Sequence, residues 1–510
     1  MAIFPSLLLL VVAIVLLILA TFNGGRRRNK SNQPPSPSKL PIIGNLHQLG
    51  GPRSLLHRTL QSLSNKHGPL MLLHMGNIPT LVVSSAEMAE EILKTHDLVF
   101  ASRPSPCPNA ARQLLYGGTD LAFAPYGEFW RQVRKICVIE LLSGKRVQSL
   151  AFIWEEEVGS MIEEIKGSSS ISTVNLTDML LSLSSGIISR VALGKKYIGG
   201  ENGKNRFMDL ARESEVLLGS FSVGDYFPSL GWIDVLSGLD ARLKRVSKGM
   251  DDFLDQVIED HIIRRNVNND INDDEHKDLV DVLLHLQKDT NADIHLTKDN
   301  LKAIISDMFS AGTDTSAVTL EWAMAELMRN PHVMEKAQAE VRRVVGRKAK
   351  VEEDNLIQMD YLKFIIKETL RLHPPGPLLI PHESTTSVTL QGYHISAKTR
   401  VLINVWAIGR DPKSWENADE FLPERFTNYP INFKGRDFQF LPFGAGRRIC
   451  PGMSFGIFTL ELALANLLYW FDWDLPGGAK KEDIDMSEVS GIVVHKKFPL
   501  HLVAKYHFSP

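Results

Sequence analysis

The sequence has few cysteines and almost no net charge, and each of these two features argues against a class of protein. Only three of the 510 residues are cysteines, namely Cys107, Cys137 and Cys450. An odd and sparse set of this kind argues against a disulfide framework and favours a reducing compartment. The chain has no Cys-x-x-Cys pair and no His-Glu-x-x-His cluster, which disfavours a zinc site. A formal net charge of −2 gives no electrostatic case for binding nucleic acid.

One long apolar run without charge is present, and it covers residues 2–22. Its length is about that of a helix that crosses a bilayer. A cleaved signal peptide is the alternative, but such peptides place positive charge before the apolar core. Here Arg26, Arg27, Arg28 and Lys30 follow the run instead. The positive-inside tendency therefore predicts an uncleaved, single-pass anchor with the remaining chain in the cytosol.

Residues 23–44 are basic and rich in proline. The stretch Pro34-Pro35-Ser36-Pro37 predicts a semi-rigid spacer that holds a globular part at the membrane. The remaining residues, 45–510, belong to a chain that is 44% hydrophobic and 23% charged, an ordinary globular composition.

A loop is predicted from Phe440 to Gly452, Phe-Leu-Pro-Phe-Gly-Ala-Gly-Arg-Arg-Ile-Cys-Pro-Gly, because glycine and proline interrupt regular structure. The loop presents the sulfur of Cys450 just before a predicted helix over 453–470. Glycines would let backbone amides approach a metal-bound thiolate, and the positive end of the helix would stabilise it. Taken alone, a buried and inert cysteine is an equally good interpretation.

The longest helical pattern runs from Thr297 to Asn330 and contains Ala-Gly-Thr-Asp-Thr-Ser at 311–316. Glycine costs about 1 kcal/mol relative to alanine inside a helix, and Thr and Asp compete for backbone hydrogen bonds. We therefore expect a kink or bulge at Gly312 that leaves room for a small ligand. A weak spot in a surface helix is the alternative, which the apolar residues on both sides disfavour.

Two further helices carry paired polar side chains. Trp130 and Arg134 are four residues apart in a predicted helix over 128–142, so both could donate to an anion. Alone, a surface arginine beside a half-buried tryptophan is the simpler interpretation. Glu368 and Arg371 are three apart in a helix over 359–372, and most such pairs are solvated and worth well under about 1 kcal/mol.

These stretches together resemble the cytochrome P450 family. Phe443, Gly446, Arg448, Cys450 and Gly452 match every fixed position of its haem-binding signature, Phe-x-x-Gly-x-Arg-x-Cys-x-Gly. Further family motifs follow the family's order along the chain, and they are the oxygen-activation motif at 311–316, the Glu-x-x-Arg helix at 368–371 and the Pro-Glu-Arg-Phe segment at 423–426. The proline hinge and the loop sequence Pro-Phe-Gly-Ala-Gly-Arg-Arg are similar to those of plant microsomal members of the A-type group.

The resemblance implies a mainly α fold with a smaller β-rich part, as one catalytic domain over residues 45–510 behind a single N-terminal transmembrane helix. It implies haem b as the cofactor, with the Cys450 thiolate as a ligand to iron. The other residues that it places around the haem are Trp130, Arg134, His382, Phe443 and Arg448. The family often has arginine where this chain has His382, although either could donate to a haem propionate.

Roles for residues around the haem follow from the same resemblance. Asp314 and Thr315 would help to deliver protons to dioxygen at the iron. Glu368, Arg371 and Arg425 would form a buried network that holds the cysteine loop. The candidates for the walls of the substrate pocket are Leu114, Met308, Phe309, Ala311, Leu378, Leu379, Ile380 and Ile492.

The implied function is a monooxygenase that inserts one oxygen atom of O2 into an apolar terpenoid, phenolic, furanocoumarin or amino-acid-derived plant metabolite. No Gly-x-Gly-x-x-Gly unit is present and no length remains for a flavin domain, so the electrons of NADPH would come through the separate NADPH–cytochrome P450 reductase. Arg131, Lys135 and Arg447 are candidates for contacting its acidic face. The implied location is the endoplasmic reticulum membrane.

Two alternatives stay open. An isomerase or dehydratase of the same fold would need neither dioxygen nor a reductase, but such relatives commonly depart from the acid–threonine motif, which Asp314 and Thr315 preserve. A membrane-tethered haem-binding protein without turnover is the second alternative, and an apolar wall shaped for a substrate argues against it.

Overall fold

The computed structural model describes residues 32–51, 54–167, 173–196, 204–267, 278–289, 294–348, 350–428 and 430–507. The predicted anchor at residues 2–22 and the basic part of the hinge lie outside these ranges. Helices dominate the described residues, and the strands form small sheets. The mainly α fold with a smaller β-rich part is confirmed.

The largest described sheet has four strands in the order β1-β2-β7-β4. The apolar stretches 70–76 and 80–84 on either side of Gly76-Asn77 predict a β-hairpin. Strands β1 (Leu70–Met75) and β2 (Ile78–Val83) form it. Strand β2 also pairs in parallel with β7 (Arg400–Ile403), which in turn pairs with β4 (His382–Glu383). This order places His382 on the same sheet as the N-terminal hairpin, with β7 between them.

The remaining described strands form three smaller sheets. One has three strands and the other two are hairpins. Their bounds are β3 (Thr173–Asn175), β8 (Phe471–Asp474) and β11 (His501–Tyr506) in the first, β5 (Val388–Leu390) and β6 (Tyr393–Ile395) in the second, and β9 (Glu488–Val489) and β10 (His495–Lys496) in the third.

The helices follow the predicted long segments closely, with shorter helices between them. Two five-residue π-helical segments, Glu91–Thr95 and Val138–Leu142, continue the second and fifth helices. The α-helices are α1 (Leu56–His67), α2 (Ala86–Glu90), α3 (Asp97–Phe100), α4 (Asn109–Leu114), α5 (Glu128–Cys137), α6 (Gly144–Ser149), α7 (Ala151–Gly167), α8 (Leu176–Leu193), α9 (Lys204–Leu218), α10 (Val223–Tyr226), α11 (Trp232–Leu236), α12 (Leu239–Val267), α13 (Leu279–Lys288), α14 (Lys298–Arg329), α15 (Pro331–Val345), α16 (Glu353–Leu356), α17 (Asp360–Leu372), α18 (Val405–Ile408) and α19 (Met453–Trp470).

Helix α14 is the centre of the core and packs against α8 and α19. Thr297 and Asn300 cap its N-terminus reciprocally, because each side chain accepts a hydrogen bond from the other residue's backbone amide. Most of the residues of α14 are buried. The prediction that this helix is central is confirmed.

The interruption predicted at Gly312 is wrong, because α14 is α-helical along its whole length. The glycine has a packing reason instead. A Cβ atom at this position would lie 3.1 Å from two side-chain atoms of Ile188 on α8. Gly312 therefore lets α8 and α14 pack at close range. Helix α14 stays α-helical despite the low helix propensity of glycine.

Within the described residues, α8 and α19 are long and apolar enough to span a membrane. Most of their residues are buried inside the fold, which is the position of core helices. Neither helix bears on the predicted anchor at residues 2–22.

Candidate active site

The loop that presents Cys450 is built on close backbone contacts. Gly446 has φ +67°, and a Cβ atom there would lie 2.4 Å from the carbonyl oxygen of Leu93. The backbone amide of Cys450 donates to the carbonyl of Phe443 at 2.9 Å. Because glycine alone fits at position 446 without strain, the predicted rigid loop has a direct steric cause.

The Cys450 sulfur receives stabilisation from its own loop. The backbone amide of Gly452, the cap of α19, donates a hydrogen bond to it. Burial raises the pKa of the Cys450 thiol, while this amide and the Arg134 guanidinium lower it. A metal ion at the sulfur would deprotonate the thiol outright. The site therefore suits a thiolate that is bound to a metal.

A cavity of about 310 Å³ is lined by Cys450 and its loop and also by α14. Most of the predicted site residues line it. They are Trp130, Arg134, Met308, Ala311, Thr315, Leu379, Ile380, His382, Phe443, Arg448, Cys450 and Ile492. One cavity thus joins the residues predicted for the cofactor with many of those predicted for the substrate.

Three predicted wall residues lie outside this lining. Leu114 and Phe309 are buried in the main hydrophobic core, while their chain neighbours Leu115 and Met308 face the cavity. On α14, Phe309 is turned by about 100° from Met308 around the helix axis, and its side chain packs in the core. Leu378 packs against a separate apolar cluster beside β1 and β2.

The side chains of Asp314 and Thr315 have different surroundings. Thr315 lines the cavity, and its hydroxyl donates to the carbonyl of Ala311 at 2.7 Å. The Asp314 carboxylate is not in the cavity lining and pairs with Nε2 of His495, on β10, at 2.9 Å. Burial lowers the pKa of His495, but the bond to Asp314 and the nearby carboxylates outweigh it and raise the pKa. His495 was not predicted, because nothing in the sequence of β10 indicates a contact with α14.

Four basic side chains line part of the cavity, and Arg103 is the one that the sequence did not predict. Arg103 is 5% and Arg448 is 9% exposed. Burial, reinforced by the repulsion between the guanidiniums, lowers the pKa of Arg103 to about 9 and that of Arg448 to about 8. Burial lowers the pKa of Arg134 as well. Among the described residues, Asp120 is the carboxylate that offsets this charge at Arg103 and Arg448.

This excess of buried positive charge provides a test of whether haem fits. Buried charges are normally paired, since an unpaired one is costly. The two propionates of haem b would supply the missing negative charge beside Arg103, Arg134 and Arg448. The thiol of Cys450 lines the same cavity. The residues present therefore fit haem b.

Two of the predicted donors are used differently from the expectation. The indole N–H of Trp130 donates to the carbonyl of Leu121 at 2.9 Å, and the Arg448 guanidinium stacks over its ring at 4.0 Å. Nδ1 of His382 bonds to the carbonyl of Phe100, and burial holds the pKa of His382 well below its usual range. Donation from His382 to a propionate would require a second proton on the ring.

The network of Glu368, Arg371 and Arg425 lies behind the loop. Both Glu368 and Arg371 have fully buried side chains, joined at 2.7 Å and 2.8 Å, and Arg425 reaches the same carboxylate at 2.9 Å. The Arg371 guanidinium stacks on Trp415, whose ring contacts Phe440 at the start of the Cys450 loop. This pair is therefore buried, unlike most pairs of its spacing.

Comparisons with known proteins agree with this geometry. The family model described as Cytochrome P450 matches residues 34–503. Cytochrome P450 71A1 of Persea americana is 66% identical over 467 residues, covering 91% of this chain and 92% of that protein. Strychnine-11-hydroxylase of Strychnos nux-vomica is 51% identical over 473 residues, covering 92% and 91% respectively. A zebra fish cytochrome P450 solved with progesterone has a TM-score of 0.75 at 26% identity, covering 88% of this chain and 99% of its own. The chain is therefore a member of the cytochrome P450 family, and its enzymatic class is that of the cytochrome P450 monooxygenases.

Proposed function

We propose that the enzyme inserts one oxygen atom of O2 into an apolar or amphipathic small plant metabolite, with electrons from NADPH that arrive through a separate reductase. Haem b, when bound, supplies the iron chemistry that activates dioxygen, and a thiolate ligand favours cleavage of the O–O bond. The observation that carries this proposal is the cavity itself, which is lined by both Cys450 and Thr315.

Cys450 would hold the iron, while Arg103, Arg134 and Arg448 would bind the propionates. Phe443 lines the cavity next to the loop and would pack against the flat ring. The Gly452 amide would keep the sulfur in place through its hydrogen bond. These residues bind and orient the cofactor, and their burial excludes water from it.

Thr315 and Asp314 would both handle protons. The Thr315 hydroxyl is the group of this pair that faces the cavity. The Asp314 carboxylate lies behind it and is paired with His495, whose side chain is 39% exposed. His495 and Asp314 would exchange protons with solvent, while Thr315 would hold a proton-donating hydroxyl at the cavity.

We expect Thr315→Ala to uncouple NADPH consumption from product formation. Without the hydroxyl, proton delivery is misdirected, and the product formed per NADPH should fall by roughly tenfold or more. The measurement compares NADPH consumed, product and released hydrogen peroxide in the same reaction.

Thr319→Ala is the matched control. Thr319 also lines the cavity and makes the same bond, from its hydroxyl to the carbonyl four residues earlier, at 2.7 Å. It should leave coupling near that of the wild-type enzyme. Equal coupling in wild type and Thr315→Ala would remove Thr315 from its proposed role.

The substrate wall is mainly apolar and supports a small apolar or amphipathic ligand. Leu218, Met308, Leu379, Ile380 and Ile492 contribute to it. Glu215 on α9 adds one titratable group, and burial raises the pKa of this carboxyl to about 7. The hydroxylase of strychnine among the relatives supports a plant metabolite as substrate, with terpenoid, phenolic, furanocoumarin and amino-acid-derived compounds as the classes to screen.

The reductase would dock on the side of the molecule that carries the Cys450 loop. Arg131, Lys135 and Arg447 are exposed, as a docking role requires. Arg447 follows Gly446 in the loop itself, and its guanidinium pairs with Asp97 at 3.3 Å. Charge-reversing substitutions at these positions should weaken electron transfer from the reductase in a salt-dependent manner.

The location that we propose is the endoplasmic reticulum membrane, with residues 2–22 as the anchor, 23–44 as the hinge and 45–510 as the cytosolic catalytic domain. Exposed apolar side chains at the start of the described chain and on α11 support it. Ile42 is 59% and Trp232 is 57% exposed. Gly76 links the two regions. Its amide donates to the carbonyl of Ile43, and a Cβ atom added at Gly76 would lie 2.8 Å from the ring of Phe227. The apolar surface thus lies close to where the hinge enters the fold.

A reconstituted reaction tests the proposed function. The full-length enzyme in phospholipid vesicles is first screened with plant metabolites for substrate-induced changes in its absorption spectrum. Binders are then incubated with NADPH, reductase and isotopically labelled O2, and products are identified by mass spectrometry. Labelled product that requires all three components is the expected result, whereas turnover without NADPH would indicate a rearranging enzyme instead.

A further inference from the structure

Two buried carboxyl groups face each other beside the cavity, and one of them, that of Asp307, belongs to a lining residue. Asp120 lies in the loop between α4 and α5 and is fully buried, and Asp307 lies on α14 with 8% exposure. Their side chains are within hydrogen-bond reach of one another. None of the family motifs identified in the sequence includes either residue.

The pair binds three consecutive backbone amides of the loop. Oδ2 of Asp307 accepts hydrogen bonds from the amides of Leu121 at 2.6 Å and Ala122 at 3.0 Å. The Asp120 carboxyl accepts from the amide of Phe123 at 3.1 Å. The loop is thereby fastened to α14.

The carbonyls of the same loop segment, residues 121–124, bind the donors around the cofactor. The indole of Trp130 donates to Leu121 O at 2.9 Å, and Nε of Arg103 donates to Ala122 O at 2.8 Å. The Arg448 guanidinium donates to Ala124 O at 2.6 Å. The amides of this short segment thus donate to the carboxyl pair, and its carbonyls accept from the three side chains at the propionate site.

Two carboxyls in contact and out of water cannot both be ionised. Burial raises the pKa of both groups, that of Asp120 to about 6 and that of Asp307 well above its usual range. The described titratable or charged groups that also face the pair are Arg103, Arg448, Cys107 and Cys137. The two thiols have pKa values raised to about 12, so they stay neutral.

We propose that Asp120 and Asp307 are positioning residues which share one proton and thereby hold residues 121–124, and with them Arg103, Trp130 and Arg448, in the geometry that grips the haem propionates. Asp307 carries the proton and donates to Asp120, while its other oxygen accepts the two loop amides. Loss of the proton places two negative charges in contact and loosens the segment. The inference rests on the proposed binding of haem b at this site.

The sign of the pH dependence follows from the raised pKa values. A carboxyl with a native pKa above its unfolded value stabilises the native state at low pH, and this stabilisation is lost as pH rises through the native value. Haem retention should therefore weaken on the alkaline side, by a factor of up to about ten per pH unit for each proton lost.

Asp307→Asn removes the titratable proton and keeps the other hydrogen bonds of this side chain. The amide keeps an oxygen for the two loop N–H groups and an N–H for Asp120, and it has no proton to lose. The full-length holoenzyme is mixed with excess apomyoglobin, and haem transfer is followed by absorbance over a series of pH values. Wild type should release haem increasingly fast toward alkaline pH, and Asp307→Asn should show a several-fold flatter dependence with similar release at acidic pH.

Two further variants complete the test. Asp299→Asn changes an exposed carboxylate of the same helix and should keep the wild-type profile. Asp307→Leu removes both the acceptor and the proton, and should release haem faster at every pH. If that variant does not fold, the profile of Asp307→Asn still decides the question.

A wild-type pH profile in Asp307→Asn would overturn the proposal and assign the alkaline loss to another group, such as Arg448 with its lowered pKa. Equal release at all pH values in wild type would overturn it as well. A wild-type protein that binds no haem would contradict the proposed function itself, and the reduced carbon monoxide spectrum recorded beforehand identifies that case separately.

Discussion

Replacing Arg371 by methionine should leave almost no folded, haem-containing protein. The change removes a guanidinium from Glu368, whose side chain is fully buried. Removing one partner of a buried ion pair costs about 3–5 kcal/mol. Glu368 would keep Arg425, at 2.9 Å, as its remaining cationic partner. Whole domains are stable by only about 5–15 kcal/mol. The yield of holoenzyme and its thermal unfolding midpoint are the measurements.

The loss should extend to the haem site because of what Arg371 contacts. Its Nη1 atom also donates to the carbonyls of Gly409 and Ala418, both at 2.6 Å, and its guanidinium stacks on Trp415. The Trp415 ring contacts Phe440 at the start of the Cys450 loop. Loosening this network therefore frees the loop that presents the sulfur.

Arg242→Met is the matched control for this substitution. Arg242 pairs with Glu213 at 3.2 Å, but its side chain is 54% exposed. An exposed pair of this kind is worth about 0–1 kcal/mol, so the control should fold and bind haem normally. A folded Arg371→Met enzyme with bound haem and a near wild-type unfolding midpoint would contradict a bracing role for the network.

Replacing Cys450 by serine should abolish oxygen insertion and remove the thiolate signature from the absorption spectrum. A serine hydroxyl has no soft, electron-donating sulfur to give to iron, and that donation is what favours O–O cleavage. Product formation should fall to background. The measurements are the spectrum of the reduced, carbon-monoxide-bound protein and product formation in the reconstituted reaction.

Cys107→Ser provides the comparison within the same chain. Cys107 is partly buried in the loop before α4, and its sulfur lies against Gly118 and outside the cavity lining. Burial raises the pKa of this thiol to about 12, so it stays neutral. The variant should keep the wild-type spectrum. A thiolate-type spectrum that persists in Cys450→Ser would mean that another group binds the iron.

The parts of the fold predicted from sequence are those with local causes. The long helices predicted to end at Asn330, Leu372 and Trp470 end at Arg329, Leu372 and Trp470 in the structure. Proline, capping residues or a 3.6-residue apolar period mark them directly. The hairpin at Gly76 has the same kind of local signal. The Cys450 loop follows from its glycines, because Gly446 leaves no space for a side chain and both Gly444 and Gly446 have positive φ.

The parts that were missed depend on partners distant in the chain. Gly312 was assigned to a bulge because the position of Ile188 on α8 cannot be read from α14 alone. Arg103 and His495 have ordinary local sequences and gain their roles only where the loop before α4 and strand β10 meet the cavity and α14. Leu114 was expected in the wall where its neighbour Leu115 stands, because sequence does not set the rotation of a short helix.

The account depends most on one claim, that Cys450 holds a haem iron through its thiolate. The most direct test is the absorption spectrum of the purified, full-length wild-type protein after reduction and exposure to carbon monoxide. The account predicts the red-shifted Soret band of a thiolate-bound haem. A spectrum of the histidine-bound type, or a protein that contains no haem, would contradict it.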